Sequence, residues 1–176
     1  MNYLDSEHPK VLVVDDHPSS RMTAVALLSV EGYSVIEADS GPNALEMVNS
    51  GNPDLILLDV MMPGMDGFEV CRRLKQNDHT RLTPIVFITA LDDRRSRLRG
   101  IEAGGDDFLT KPFTPLELRE AMNPQLNKQV RADVARTLAV DSAVTAALDQ
   151  QKEKITKLYE ARLASSLTQQ WPDGGL

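Results

Sequence analysis

The chain has 176 residues, enough for one domain of ordinary size with an appendage and too few for a second full core. Its net charge of -7 and pI near 4.9 argue against direct nucleic-acid binding or an anionic-membrane surface, both of which need a basic excess. No stretch is apolar for long enough to span a bilayer, the first residues lack the features of a secretory leader, and the lone Cys71 has no internal partner, so a reducing cytoplasm is the expected compartment.

Residues 1–9 read as an arm ahead of a domain at 10–123. Residues 11–14 form a β-branched-rich run that ends at Asp15-Asp16, which places acids at the end of a buried strand. Pro18 suits the first position of the helix that follows, with Ser19 and Ser20 in its first turn and Met22, Val25 and Leu28 as its inward stripe until Gly32. Ser34–Ala38 is the next strand and residues 42–49 the next helix, after which Gly51-Asn52-Pro53 resets the chain.

Residues 55–58 are continuously apolar and end in Asp59, followed by the turn residues Pro63-Gly64, as expected of a strand buried on both faces. Phe68, Val70, Cys71 and Leu74 then mark an amphipathic helix, with Cys71 facing the core. Residues 85–88 form a strand ending at Thr89, and an arginine-rich helix with a polar exposed face is expected over 92–103. The short strand Asp107–Thr110 runs into Lys111-Pro112, and Thr114-Pro115-Leu116-Glu117 is a capping box opening a fifth helix.

Strand and helix alternate throughout, which predicts right-handed crossovers and an α/β fold, a doubly wound five-stranded parallel sheet covered on both faces. From Pro124 the composition turns to alanine, glutamine and charge, so residues 124–170 are expected to be a long α-helical extension, and 171–176 a frayed end. Val130, Val134, Thr137, Val144, Leu148, Ile155 and Leu158 fall near a heptad seam that Asp141 and Gln151 interrupt. A helix of this kind would run about 60 Å, too long to be stable in water without a partner on its stripe.

The strand ends carry Asp15, Asp16, Asp59, Thr89 and Lys111. In strand order 2-1-3-4-5 the first and third strands are neighbours at the switch point, so their acids converge. Clustered carboxylates repel unless a proton or cation intervenes, and Mg2+ suits a few carboxylate oxygens plus phosphate. Asp59 could then attack a phosphoryl group, with the metal, Lys111 and Thr89 stabilising its charge.

These motifs carry a resemblance. Val-Val-Asp15-Asp16, Leu-Leu-Asp59-Val-Met-Met-Pro63-Gly-Met-Asp-Gly67, Thr89-Ala90 and Thr110-Lys111-Pro112-Phe113 resemble, in order and spacing, the receiver domain of two-component response regulators. The resemblance implies a flavodoxin-like sheet and a phosphoacceptor at Asp59, charged by a histidine kinase, a phosphotransfer protein or a small phosphodonor. It implies a Mg2+ site of Asp16, Asp59 and the Met61 carbonyl with help from Asp15, and a cis peptide at Lys111-Pro112. It also implies a switch pair, Thr89 and Phe108, in which the hydroxyl moves to the phosphate and the ring turns inward. Phe108 departs from the frequent tyrosine there.

In that family the side chains two places after the acceptor and after the switch threonine border the path of the hydrolytic water, and here they are Met61 and Leu91. Neither can orient a water, so slow self-dephosphorylation is expected. The expected output is a phosphorylation-controlled change in protein contacts through the fourth and fifth helices and a homodimer built on the tail helix, with no turnover beyond the protein's own phosphate. Two alternatives remain at this point: the regulatory part of a longer cyclic-dinucleotide signalling enzyme, and a constitutive dimeric adaptor.

Overall fold

The computed structural model describes residues 8–90 and 93–170, with side chains to 165. The chain divides into two compact units, Met1–Val130 and Arg131–Leu176. The first unit alternates β1 (Lys10–Val14), α1 (Pro18–Val30), β2 (Ser34–Ala38), α2 (Gly41–Gly51), β3 (Leu55–Asp59), α3 (Gly67–Gln76), β4 (Ile85–Thr89), α4 (Arg94–Ala103) and β5 (Asp107–Thr110). α5 (Pro115–Gln170) follows and carries Pro124 inside it. The strands form one parallel sheet in the order β2-β1-β3-β4-β5.

Alternation along the strands divides the core between the two faces of the sheet. Leu12, Val14, Ile56, Leu58, Ile85 and Phe87 pack with residues of α2, α3 and α4, among them Val48, Phe68, Cys71 and Ala103. Val11, Val13, Leu55, Leu57, Val86 and Ile88 pack with Ala24 and Leu28 of α1 and with Leu118 and Met122 of α5. Because both faces are covered, β3 and β4 are buried along their whole length, which is why they read as unbroken apolar runs.

Helix starts follow their caps. Ser40, Asp66 and Asp93 each accept a hydrogen bond from the backbone N–H three residues on. Thr114 and Glu117 close a reciprocal capping box, the Glu117 N–H donating to Thr114 Oγ1 at 3.2 Å and the Thr114 N–H to Glu117 Oε2 at 2.7 Å. Asn52 ends α2 in the left-handed conformation at φ 46. At Gly67 the start of α3 presses against the end of β3, where a Cβ would overlap the Asp59 carbonyl oxygen. This close approach brings the loop after β3 back over its own strand end.

Two expectations are corrected. Met22 is 68% exposed, so the inward stripe of α1 is Ala24, Leu28 and, in part, Val25. Met22 stands two positions before Ala24 and six before Leu28, about 200° and 240° around the helix from them, so it falls on the other side. The exposed face of α4 is not wholly polar, since Leu98 and Ile101 are 49% and 67% exposed. The small residues Ser96, Gly100 and Ala103 are the ones α4 buries, because aromatic rings already fill the space beneath it.

The second unit is helical over its described residues. Val130 at the end of the first unit, and Val134, Val144, Leu148, Ile155 and Leu158 of the second, all in the heptad series, are exposed. The expected frayed segment 171–176, and residues 1–7 of the expected arm, lie outside the described residues.

Cys71 is buried, donates its S–H to the Ala103 carbonyl at 3.3 Å, and is pushed by burial up to about 11. It should therefore resist a thiol reagent at pH 8 in the folded protein and react fully in denaturant. A rapid reaction without denaturant, followed by absorbance, would contradict this packing.

Candidate functional site

The carboxyl edge of the sheet gathers the residues that the strand ends carry. Asp59 closes β3, Asp15 and Asp16 follow β1, Thr89 closes β4 and Lys111 follows β5. The direct pairing of β1 with β3 brings the two sets of acids side by side. Asp15 and Thr89 are fully buried and Asp59 is 3% exposed.

Lys111 is the cation of the site. Its Nζ donates to Asp15 Oδ2 at 2.7 Å and stands 3.6 Å from Asp59 Oδ2. Its backbone N–H donates to the Thr89 carbonyl at 2.8 Å, which ties the end of β5 to that of β4, and the Lys111–Pro112 peptide is cis.

The two buried acids differ in proton affinity because their partners differ. Burial pushes the Asp15 carboxyl up, but hydrogen bonds from Lys111, from Ser20 Oγ at 2.6 Å and from the His17 N–H at 2.9 Å outweigh it and leave it below the usual carboxylate range. Among the described residues Asp59 has a 3.4 Å hydrogen bond from the Met61 N–H and the more distant Lys111. Burial first, then the neighbouring charges of Asp15 and Asp16, raise it to about 6 against the pull of Lys111.

One ammonium therefore does not neutralise the cluster. Ligand atoms of Asp15, Asp16 and His17 lie within 4.8 Å of one another. Carboxylate oxygens at this density, with unbalanced negative charge, suit a hard divalent cation such as Mg2+. The His17 side chain is exposed with Nδ1 3.2 Å from Asp16 Oδ1, so it flanks the acids at the surface.

Two residues to which the sequence reading gave no site role hold the acid loop in place. Ser20, read there only as a first-turn residue, binds the Asp15 carboxylate. Arg21 donates through Nη1 to the Asp15 carbonyl at 2.8 Å and through Nε to Glu37 at 3.1 Å, which joins α1, β2 and the end of β1. The available signal was spacing: Ser20 and Arg21 stand in the first turn of α1, five and six positions beyond Asp15, within side-chain reach of the strand end.

Phe108 lies beside Phe87 in the β4–β5 register and is partly buried against it. Met61 is exposed, whereas Leu91 lies outside the described residues.

Residues 11–123 match the family model for the response regulator receiver domain, and the chain belongs to this family of two-component signalling proteins. It is 52% identical over 109 residues to response regulator PleD of Caulobacter vibrioides, covering 62% of this chain and 24% of PleD. It is 42% identical over 131 residues to response regulator MprA of Mycobacterium tuberculosis, covering 74% of this chain and 56% of MprA. The chain thus spans less than two thirds of either relative's own length.

Among solved structures, a putative response regulator from Chloroflexus aurantiacus superposes with a TM-score of 0.67 at 36% identity, over 69% of this chain and 99% of that one. The chemotaxis protein CheY4 of Vibrio cholerae superposes at 0.62 and 34% identity, over 64% and 94%. Among the described residues no helix is long and apolar enough to cross a membrane.

The raised Asp59 value has a stability consequence. Between the ordinary carboxylate value of 3.8 and about 6 the folded state binds the proton more tightly than the unfolded chain, so this residue's contribution falls as pH rises through that window. In EDTA at pH 7.5, Asp59→Asn should be more stable than the unaltered chain by about 2 kcal/mol, with the difference shrinking towards pH 4. Urea melts at both pH values check it, and equal midpoints at pH 7.5 would contradict the crowding of Asp59.

Proposed function

We propose that the protein is a cytoplasmic phosphorylation switch of a two-component relay, in which Asp59 accepts a phosphoryl group from a histidine kinase, a phosphotransfer protein or a small phosphodonor. The observation that carries this reading is the Lys111 ammonium set between two buried carboxylates of neighbouring strand ends, 2.7 Å from one and 3.6 Å from the other. A carboxyl near 6 is mostly ionised at neutral pH and hence nucleophilic.

Asp16, Asp59 and the Met61 carbonyl, with Asp15 beside them, would hold Mg2+. When bound, that ion supplies the positive charge that draws phosphoryl oxygens to the site and offsets their repulsion from the carboxylates. An Asp59 oxygen attacks phosphorus, the bond from phosphorus to the donor's nitrogen or oxygen breaks, and the donor leaves with the electron pair. Lys111 has only about an ångström to cover to transfer its pairing from Asp15 towards the new acyl phosphate.

Thr89, at the end of β4, donates its hydroxyl to the same group, and Phe108 on the adjoining strand registers the change. The added charge biases two arrangements of α4, β5 and α5, and the signal leaves as altered protein contacts. The receiver part is residues 10–123, and the extension 124–170 forms a homodimer through the exposed apolar series from Val130 to Leu158. The protein turns over only its own phosphate and binds no nucleic acid directly.

Sedimentation of the full chain and of Asp59→Ala, with Mg2+ and with or without acetyl phosphate, tests acceptor and output together. Expected are an acid-labile phosphoryl adduct and a change in mass for the unaltered chain alone. An adduct on Asp59→Ala, or none on either, would overturn the reading.

Met61 bears on signal lifetime, because its thioether cannot orient a water for attack on the acyl phosphate. Met61→Asn should shorten the phosphorylated half-life by about threefold or more, a barrier change of roughly 0.6 kcal/mol. Loss of the adduct followed by phosphate-affinity electrophoresis reads it directly, and an unchanged half-life would remove this role from Met61.

A further inference from the structure

The Phe108 ring is turned inward, with its centroid 5.0 Å from that of Phe87 at an interplanar angle of 35°. The guanidinium carbon of Arg97 lies over the ring, 5.8 Å from its centroid. What leaves room for the ring is Gly100, in the middle of α4. A Cβ at position 100 would overlap Cζ and Cε2 of Phe108 and would stand 3.2 Å from Cδ2 of Phe87.

Glycine inside a helix costs about 1 kcal/mol relative to alanine, so its presence in α4 needs a reason. Backbone conformation does not supply one, since the positive-φ glycines of the described residues are Gly32, Gly64 and Gly104. Clearance does. Gly100 lies on the buried strip of α4 with Ser96 and Ala103, at the one point where the tip of the ring arrives.

We propose that Gly100 is the positioning residue for Phe108: by carrying no side chain it holds open the ring's inward place, and so keeps the unmodified chain in an arrangement ready to accept a phosphoryl group. Phenylalanine suits such a place, because a ring without a hydroxyl leaves no polar group to satisfy there and gains no hydration by turning outward. The ring contact also couples α4 to β5, since movement of α4 towards the sheet is blocked while the ring is in. The functional half of this inference rests on the phosphoswitch reading, whereas the steric half stands on the ring contacts alone.

The test uses the full chain and three variants: Gly100→Ala, Phe108→Leu and the pair together. Leucine lacks the two ring-tip atoms that a methyl at position 100 would strike, so the pair removes the clash without restoring the glycine. Two readouts are taken. One is the nuclear Overhauser effect between the Phe108 and Phe87 rings in phenylalanine-labelled protein, with the Phe108 signals identified by their loss in Phe108→Leu. The other is the rate of phosphorylation by acetyl phosphate with saturating Mg2+.

Gly100→Ala should lose the ring-to-ring effect and be phosphorylated about fivefold more slowly, the ready state being a smaller fraction of the population. The double variant should match Phe108→Leu within about twofold. Retention of the ring contact at the original rate would overturn the proposal. So would a double variant as slow relative to Phe108→Leu as Gly100→Ala is relative to the parent, since that marks damage to α4 itself. If Gly100→Ala does not fold, a folded double variant supports the clearance and an unfolded one overturns it. If the parent chain takes no phosphoryl group, the phosphoswitch reading fails, while the ring-to-ring effect still decides the steric half.

Discussion

One ammonium group facing two buried carboxylates is the constraint around which the first unit is arranged. Lys111 meets Asp15 at hydrogen-bond distance and Asp59 at a longer one, and that asymmetry separates their proton affinities. Asp15, held also by Ser20 and the His17 N–H, stays ionised and anchors the lysine. Asp59, with fewer partners, is raised towards neutrality by burial and by its acidic neighbours. A site built this way is left short of positive charge, which a divalent cation would offset. The sheet exists in this account to bring the ends of β1, β3, β4 and β5 to one edge, and its order does so with adjacent strands.

Much of this was legible in the chain because buried parallel strands leave a strong trace. The runs at 11–14, 55–58 and 85–88 are apolar without alternation, each ends in a polar residue at the carboxyl edge, and the Thr114–Glu117 capping box forms as its spacing requires. What escaped notice depends on side chains that meet only after folding. Arg21 and Glu37 are 16 positions apart on different elements, and nothing local marks them as partners. Gly100 reads as an ordinary weak point in an arginine-rich helix until the Phe108 ring is placed beneath it. Met22 fits the apolar series through Val25 but lies on the far side of the helix from Ala24 and Leu28, the residues that α1 buries.

The second unit poses a different physical problem. Its helix leaves Val134, Leu138, Val144, Leu148, Ile155 and Leu158 exposed, a series with no partner among the described residues. A helix of this composition gains most of its stability from packing, and an exposed apolar face of this length is what the proposed homodimer would cover. Asp141 and Gln151 interrupt that seam, and polar seam residues set register at a cost in stability.

The charge state of Asp59 tests the central claim most directly. Its side-chain carboxyl carbon, followed by NMR in carbon-13 aspartate-labelled protein, should titrate near 6 in EDTA and drop below the ordinary 3.8 with saturating Mg2+. An Asp59 that titrates at an ordinary carboxylate value without metal, and does not respond to Mg2+, would contradict the account.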